Sequence, residues 1–266
     1  MKRLFLSLAL SLSLTLTPAL AAGDLTVDGR AVDAAATVRN NTTYVSLRAV
    51  TQALQPDALI LWTGDRALAE GEDFTLTAQP GAVYLEVNGR ALYIPQGVLL
   101  ESGRTLVPVR VLAEALGAEV DWNSATGEVT VTSGDGDILT GAEVYDSNAL
   151  YWLSRIISAE SQGESLVGKV GVGYGILNRG APADFPSTIY DVIFDSRWGG
   201  QFEPVRNGTV YNTPTQESVT AAKLVLEGAE VVGDSLYFLA PSLTSNHWIM
   251  NNRDYVATIG VHWFYR

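Results

Sequence analysis

The chain has 266 residues, no cysteine and a formal net charge of −12 at neutral pH. Without thiols it has neither disulfides nor thiolate metal sites, so the fold must rest on a hydrophobic core. An acidic surface disfavours nucleic acid and anionic membranes as partners. The two histidines, His247 and His262, offer few ligands for a metal, and we predict neither a metal nor a cofactor.

Residues 1–21 have the composition of a secretory signal peptide. Lys2 and Arg3 precede an apolar run from Leu4 to Leu16, and small residues follow up to Ala21. This run is shorter than the ~20 apolar residues of a membrane span, and no later stretch reaches that length. We therefore expect a secreted protein with no membrane span after signal cleavage. An uncleaved anchor is the alternative.

Residues 22–132 contain an internal duplication. Leu25–Val32 (LTVDGRAV) returns as Leu85–Leu92 (LEVNGRAL), and Tyr44–Leu54 returns as Leu106–Leu116, each about 60 residues later. The Asp-Gly and Asn-Gly pairs between alternating apolar residues predict tight hairpins, and the later piece predicts a short amphipathic helix. The sequence thus predicts a small α+β module built by duplication.

Three motifs in this module resemble a known domain: Thr105–Arg110 (TLVPVR), Ala113–Ala118 (AEALGA) and Val120–Asn123 (VDWN). They are similar to the copper amine oxidase N-terminal-like domain, a stalk-like module. The resemblance implies a non-catalytic domain of exported bacterial proteins, through which a wall or spore-coat protein could bind. It implies no copper, because the segment has neither histidine nor cysteine.

Residues 133–146 are polar and rich in turn formers, and they predict a linker to a second domain at 147–266. A cap at Asp146 or Ser147 predicts a helix with one apolar stripe, formed by Leu150, Leu153, Ile157 and Glu160. Burial penalises the charged form of a carboxylate, and a carboxyl group that stays protonated near neutral pH suits a general acid. Alternatively, Glu160 is structural and pairs with Arg155 or with a backbone amide.

A second helix is predicted over Ser165–Arg179 in spite of its internal glycines, each of which costs a helix about 1 kcal/mol relative to alanine. Gly168, Gly171 and Gly175 share one face. We expect this face to allow close approach of the helix that carries Glu160.

Aromatic and amide side chains stand side by side in the later loops. Tryptophan and tyrosine next to glutamine and asparagine make surfaces that stack on sugar rings and bind hydroxyl and acetamido groups. Phe202, Trp248 and His262 are the main candidates for such contacts, although each ring taken singly fits a core position equally well.

Several segments in consistent order, from about Leu150 to the C-terminus, resemble the cell-wall hydrolases of the SleB/CwlJ type, the spore-cortex-lytic enzymes. They include Ala159–Glu164 (AESQGE), Ile176–Arg179 (ILNR), Gly200–Phe202 (GQF) and Ile259–Phe264 (IGVHWF). The resemblance implies a lysozyme-like, mainly helical α+β catalytic domain that cuts peptidoglycan glycan strands in the cell wall or spore envelope. It places the catalytic glutamate at Glu160. The supporting or substrate-binding candidates are Glu164, Asn178, Gln201, Phe202, Tyr237, Trp248 and His262.

One well-placed acid is compatible with two reactions. A glycosidase normally uses two carboxylates, but in a lytic transglycosylase the hydroxyl of muramic acid captures the cleaved centre instead. We expect the second reaction, because the turn at Gly163 directs Glu164 away from Glu160. Plain hydrolysis stays open with one of five second carboxylates: Glu164, Asp184, Asp191, Asp195 or Glu203.

Two other classes of function remain as alternatives. One is a non-catalytic wall-binding or germination-accessory protein, in which the aromatic loops bind glycan and Glu160 is structural. The other is a metal-dependent amidase, which is disfavoured because His247 and His262 are the only histidines. Spore cortex and vegetative wall both remain open as the substrate.

Overall fold

A computed structural model of the chain describes residues 24–244 and 247–266, and the predicted signal peptide lies outside these described residues. Within these two ranges, no helix combines the length and the apolar character needed to cross a membrane. The strands are β1 (Leu25–Val27), β2 (Arg30–Ala31), β3 (Thr37–Arg39), β4 (Thr42–Ser46), β5 (Leu59–Thr63), β6 (Arg66–Glu70), β7 (Thr75–Ala78), β8 (Tyr84–Val87), β9 (Arg90–Tyr93), β10 (Leu99–Glu101), β11 (Arg104–Pro108), β12 (Glu119–Trp122), β13 (Val129–Thr132), β14 (Tyr237–Leu239), β15 (Tyr255–Ile259) and β16 (His262–Tyr265). The helices are α1 (Leu47–Leu54), α2 (Val109–Ala115), α3 (Gly141–Val144), α4 (Ser147–Ser161), α5 (Leu166–Asn178), α6 (Ile189–Ile193), α7 (Glu203–Asn207), α8 (Gln216–Leu226) and α9 (Trp248–Asn252), with 3-10 turns at Arg197–Gly199 and Thr209–Tyr211.

The duplicated hairpins turn through the residues that the sequence indicates. Asp28 and Gly29 join β1 to β2 with φ angles of 49° and 73°, and Asn88 and Gly89 join β8 to β9 with 47° and 79°. Two consecutive positive φ angles match the twist of the flanking strands, and Asp-Gly and Asn-Gly pairs adopt them readily. Both predicted hairpins are confirmed.

The two copies of the repeat exchange strands. The first copy runs from β1 to β6 through α1, and the second runs from β8 to β13 through α2. Hairpin β1–β2 joins the end of the second copy in a sheet of order β12-β13-β1-β2, and β1 pairs with β13 in parallel. Hairpin β8–β9 joins the end of the first copy in the sheet β5-β6-β7-β8-β9, with β7 inserted between. Each hairpin therefore depends on strands from the other copy.

Strands β4 and β11, which are equivalent in the repeat, pair at the centre of the sheet β10-β11-β4-β3. Each runs directly into its helix, and the Ser46 hydroxyl caps α1 by accepting a hydrogen bond from the Ala49 amide at 3.4 Å. One hydrophobic cluster, with buried members from Leu25 to Val131, lies between these sheets and helices. The N-terminal module therefore has a core of its own.

Helices α4, α5 and α8 pack on one another in the C-terminal domain. Asp146 caps α4 as predicted, accepting a hydrogen bond from the Ala149 amide at 2.7 Å. Leu153, Ile156 and Ile157 of α4 are fully buried in a second hydrophobic cluster, and the sheet β14-β16-β15 packs against α5. These contacts fix the last turn of α4, which carries Glu160. The predicted class, two α+β domains with a mainly helical second one, is confirmed.

The glycines of α5 face different neighbours from those predicted. A Cβ atom at Gly171 would lie 3.0 Å from Cζ of Phe264 in β16, so this face packs on the sheet. A Cβ atom at Gly173 would lie 2.6 Å from Cδ1 of Ile157 in α4. The prediction that the Gly171 face receives the Glu160 helix is therefore wrong. Helical periodicity identifies residues that share a face, but it does not identify the element that packs there.

A buried ion pair joins the two domains. Glu227, at the C-terminal end of α8, accepts hydrogen bonds from Nε and Nη2 of Arg90 at 2.8 and 2.9 Å, and the two side chains are 7% and 8% exposed. Tyr145 donates to the same carboxylate at 3.0 Å, and its oxygen accepts a hydrogen bond from the Ala91 amide at 3.0 Å. Ala91 is itself buried in the hydrophobic cluster of the C-terminal domain. The N-terminal module is thus packed onto the helical domain through buried side chains.

Candidate active site

Glu160 lies in the last turn of α4 and lines a cleft of about 520 Å³. We call this cavity the Glu160 cleft. The other lining residues are mostly polar and come from α4, from α7 and from the segment that precedes α8: Arg155, Ser158, Ala159, Gln162, Glu203, Pro204, Asn207, Thr209, Asn212 and Thr213.

The Glu160 carboxyl group is unpaired. In the part of the chain that the structure describes, it forms neither a hydrogen bond nor an ion pair. Burial raises the pKa of Glu160 to about 7; the positive charge of Arg179 opposes this rise, and the negative charge of Glu203 adds to it. Arg155, the structural partner considered above, instead donates a hydrogen bond to the Tyr151 carbonyl at 3.4 Å. Glu160 therefore has the properties of a general acid at neutral pH.

Arg179, which follows α5, provides a fixed positive charge for the site. Its Nε donates to the Leu236 carbonyl at 2.6 Å, its Nη1 donates to Gln201 Oε1 at 2.8 Å, and its guanidinium carbon lies 4.9 Å from the centre of the Phe202 ring. Burial lowers the pKa of Arg179 to about 10, so the group stays charged at neutral pH. Arg179 is not one of the site candidates inferred from the sequence. The available signal was a cation placed directly after an apolar helix.

Three of the predicted site residues meet around Arg179. Gln201 accepts its hydrogen bond and donates another to Asp195 at 2.9 Å, while Phe202 and Tyr237 place their rings 4.9 and 5.8 Å from the guanidinium carbon. Phe202 is only 3% exposed, so its ring is a packing element in this structure. Trp248 is half exposed and lies 5.0 Å from the guanidinium carbon of Arg253. Direct contacts of these residues with substrate stay predictions.

Glu164, Asn178 and His262 make contacts elsewhere in the domain. The Glu164 carboxylate accepts a hydrogen bond from the Val261 amide at 3.3 Å and lies 3.7 Å from Nδ1 of His262. Burial lowers the pKa of His262, with the negative charge of Glu164 acting in the opposite direction. Asn178 donates to two backbone carbonyls of the loop before β14, at 2.8 and 3.0 Å. The expectation that Glu164 points away from Glu160 thus agrees with the structure.

Among the described residues that line the Glu160 cleft, Glu203 is the second carboxylate. It forms an exposed ion pair with Arg206. Asp195 is not among the residues that line the cleft. It accepts hydrogen bonds from Arg197, which lower its pKa to about 2. Asp191 accepts a hydrogen bond from the Thr188 hydroxyl at 2.6 Å, at the start of α6. Of the five carboxylates considered above, Glu203 is therefore the one placed to act beside Glu160.

Two known protein families match separate parts of the chain. Residues 26–131 match the copper amine oxidase N-terminal domain, and residues 163–265 match the cell wall hydrolase family. Both resemblances inferred from the sequence are confirmed. The matched part of the cell wall hydrolase domain begins three residues after Glu160, so the assignment of Glu160 rests on the site geometry and the motif.

The cell wall hydrolase domain is homologous to spore cortex-lytic enzymes. The enzyme of Bacillus cereus strain ATCC 14579 is 33% identical over 120 residues, which are 45% of each chain, and that of Oceanobacillus iheyensis is 31% identical over 45% of this chain and 42% of the relative. The chain thus spans less than half the length of these curated relatives. Among solved structures, the catalytic domain of the germination-specific lytic transglycosylase SleB from Bacillus anthracis is 33% identical, with 46% of this chain and 97% of that chain covered and a TM-score of 0.42. The catalytic domain of the Bacillus cereus SleB protein is also 33% identical, with 46% of this chain and 92% of that chain covered and a TM-score of 0.42.

Proposed function

We propose that this protein is an exported glycosidase that cleaves the glycan strand of peptidoglycan, with Glu160 as its general acid. The observation that carries the proposal is an unpaired carboxyl group, of pKa about 7, in the wall of an open polar cleft. Roughly half of such groups hold a proton at pH 7, so they can protonate a glycosidic oxygen. Homology to spore cortex-lytic enzymes supports spore cortex peptidoglycan as the substrate and germination as the setting.

The division of labour between the parts of the chain belongs to the same proposal. Residues 1–21 direct export, 22–132 form a stalk-like domain that binds a wall or spore-coat protein, 133–146 are the linker, and 147–266 cleave glycan in the cell wall or spore envelope. The separate hydrophobic cluster of the N-terminal module supports this division.

During the reaction, one proton leaves Glu160 and one returns to it. Glu160 donates its proton to the glycosidic oxygen, the C–O bond breaks, and the sugar is left with an oxocarbenium-like centre. Arg179 favours the carboxylate form that Glu160 adopts at this point, because its positive charge lowers the pKa of Glu160. The hydroxyl of the muramic acid residue then attacks the cationic centre, and its proton returns to Glu160. The product is an anhydro-muramoyl end, and no water is consumed.

Hydrolysis is the second candidate, because Glu203 lines the same cleft. There it could activate a water molecule, which would capture the oxocarbenium-like centre in place of the muramic hydroxyl. The Glu203 carboxylate is paired with Arg206, however, and this pairing favours intramolecular capture.

Digestion of purified peptidoglycan in oxygen-18 water should release anhydro-muramoyl ends, each one water lighter than a reducing end and free of the label. Mass spectrometry of the digest measures both features. The Glu203→Gln variant serves as the matched control and should give the same products. Labelled reducing ends from the unmodified protein, lost in the Glu203→Gln variant, would show that the enzyme is a hydrolase with Glu203 as its base or nucleophile.

The rate of cleavage should fall as the pH rises above about 7, because the raised pKa of Glu160 means that the donor form is lost in this range. Below that pH the carboxyl group is protonated, so this group does not limit the rate. The measurement is kcat/KM on soluble glycan fragments between pH 5 and 9, where the slope above the midpoint reports one ionisation. A rate that stays constant up to pH 9 would exclude Glu160 as the donor.

A further inference from the structure

Arg155 is a cation of the Glu160 cleft that has no acidic partner among the described residues. Its guanidinium carbon lies 3.6 Å above the centre of the Tyr151 ring, and Nη1 makes its 3.4 Å hydrogen bond to the Tyr151 carbonyl. Nε is buried, and no hydrogen-bond acceptor reaches it within the described residues. A buried donor without an acceptor costs free energy. The buried Nε cannot meet a ligand, so the capacity that a bound group could use lies in the terminal nitrogen Nη2, which is not buried and forms no hydrogen bond with the described residues.

Arg155 forms no ion pair with the described residues, although the chain is acidic. Acidic residues number 29 and basic residues 17, so carboxylates are abundant. Half of the other arginines in the described ranges form ion pairs: Arg39, Arg66, Arg90, Arg197, Arg206 and Arg266. In the cleft, by contrast, Glu160 and Glu203 line the wall and neither pairs with Arg155. The fold thus leaves one positive charge available inside a cleft that also contains negative charge.

The surroundings hold this charge in a defined position. The Tyr151 ring attracts the guanidinium through its negative face and restricts its rotation. A planar guanidinium presents several N–H donors in a fixed fork, which suits the two oxygens of a carboxylate. Arg155 and Glu160 are five residues apart on one helix, about 7.5 Å along its axis. A group bound by Arg155 would therefore lie beside the cleaved bond without reaching it.

We propose that Arg155 binds a carboxylate of the substrate and thereby selects glycan strands that carry one next to the cleaved bond. This inference rests on the proposed function of the cleft. Peptidoglycan offers two sources of the group: the lactyl carboxylate of a muramic acid residue that has lost its peptide, and the carboxylates of a stem peptide.

Binding is measured in the Glu160→Gln protein, so that turnover does not interfere. Isothermal titration calorimetry gives Kd for three soluble glycans: one peptide-free with lactyl carboxylates, one with stem peptides, and one with all carboxyl groups converted to methylamides. Introducing the Arg155→Gln replacement into this protein should weaken binding of a carboxylate-bearing glycan by roughly tenfold or more, because a hydrogen bond to a charged group is lost. Binding of the methylamide should not change. The glycan that loses affinity identifies the source of the carboxylate.

Arg155→Lys and Arg266→Gln complete the comparison. Lysine keeps the charge but not the planar fork, so it should recover only part of the affinity. Arg266 pairs with Asp234 at 3.3 Å on the surface, outside the residues that line the cleft, and its replacement should leave all three values of Kd unchanged. Circular dichroism establishes that each variant is folded, and if Arg155→Gln is not, the Lys variant alone decides between the charged and methylated glycans.

Two results would overturn the inference. The first is that the protein with Arg155→Gln binds the charged glycans as tightly as the protein with Arg155 intact. The second is that the replacement weakens binding of charged and methylated glycans equally. Either result would show that Arg155 has only a structural role. If the protein with Arg155 intact binds none of the three glycans, the proposed function fails together with the inference.

Discussion

Replacing Glu160 with glutamine should lower the rate of glycan cleavage by roughly 100- to 10,000-fold, the contribution of a positioned general acid. The amide keeps the shape of the side chain but has no acidic proton to donate. Release of soluble fragments from purified sacculi measures the effect, and zymography provides an independent readout. Glu164→Gln is the comparison variant, and it should lose less activity because Glu164 lies outside the Glu160 cleft and bonds the Val261 amide. Cleavage at the normal rate by the Glu160→Gln protein would remove Glu160 from the mechanism.

The stability of the Glu160→Gln protein also distinguishes a catalytic role of Glu160 from a structural one. Burial raises the pKa of Glu160 from 4.5 to about 7, so between these values the folded state binds more protons than the unfolded state. The free energy of unfolding therefore falls as the pH rises through this range, by on the order of 3 kcal/mol. Glutamine does not titrate, so Glu160→Gln should be more stable than the unmodified protein at pH 8. Urea unfolding at pH 5 and pH 8 measures this, and destabilisation at pH 8 would indicate a structural ion pair instead.

The non-catalytic alternative is tested in the same assays. If the unmodified protein binds sacculi but releases no fragments, it is a wall-binding protein, and Glu160→Gln should then leave binding unchanged.

Replacing Glu227 with alanine should lower the free energy of unfolding by roughly 3–5 kcal/mol, because Arg90 would remain buried without its carboxylate. Arg90 keeps its bond to Glu114 at 3.2 Å, but Glu114 is mostly exposed and replaces neither of the two lost bonds. Tyr145 also loses the acceptor for its hydroxyl group. Urea unfolding followed by circular dichroism measures the change, and separate transitions for the two domains would indicate that the contact had coupled them.

The matched control for this experiment is an exposed ion pair in the N-terminal module. Glu101 pairs with Arg39 at 2.9 Å, and both side chains are at least 40% exposed. Glu101→Ala should therefore cost at most about 1 kcal/mol. The double replacement Arg90→Met with Glu227→Leu should recover much of the stability, because it leaves no buried charge unpaired. A loss for Glu227→Ala no larger than that of the control would show that the buried ion pair does not stabilise the domain contact.

Local features of the fold could be predicted from the sequence because they depend on a few neighbouring residues. The Asp28-Gly29 turn and the Asp146 cap are examples, since each is determined by the conformations and hydrogen bonds available to adjacent residues. The direction of Glu164 was predictable for the same reason, because it follows a turn at Gly163. The exchange of hairpins between the two copies was not, since strand order depends on pairing between distant segments.

In the candidate site, too, only features that depend on neighbouring residues could be predicted. Glu160 could be identified because its own helix places it on an apolar stripe. Arg179 acts on it from the end of α5, and Arg155 is recognisable only by the partner that it lacks, so neither role follows from the sequence around Glu160. Phe202 has aromatic character and polar neighbours, as a sugar-stacking ring would, yet it is buried against Arg179. Sequence pattern alone does not distinguish an aromatic ring in a binding loop from one that packs inside.

The exchanged hairpins also determine the order in which the N-terminal module can form. Thr26 in β1 pairs with Thr130 in β13, a separation of 104 residues, and within the described ranges the other neighbour of β1 is β2. During synthesis, β1 therefore cannot pair with β13 until the last strand of its module has been made. Closing so long a stretch of chain is slow compared with forming local contacts. The first strand of the module is thus among the last to be fixed in place, and the module completes its fold only after residue 132 has been made.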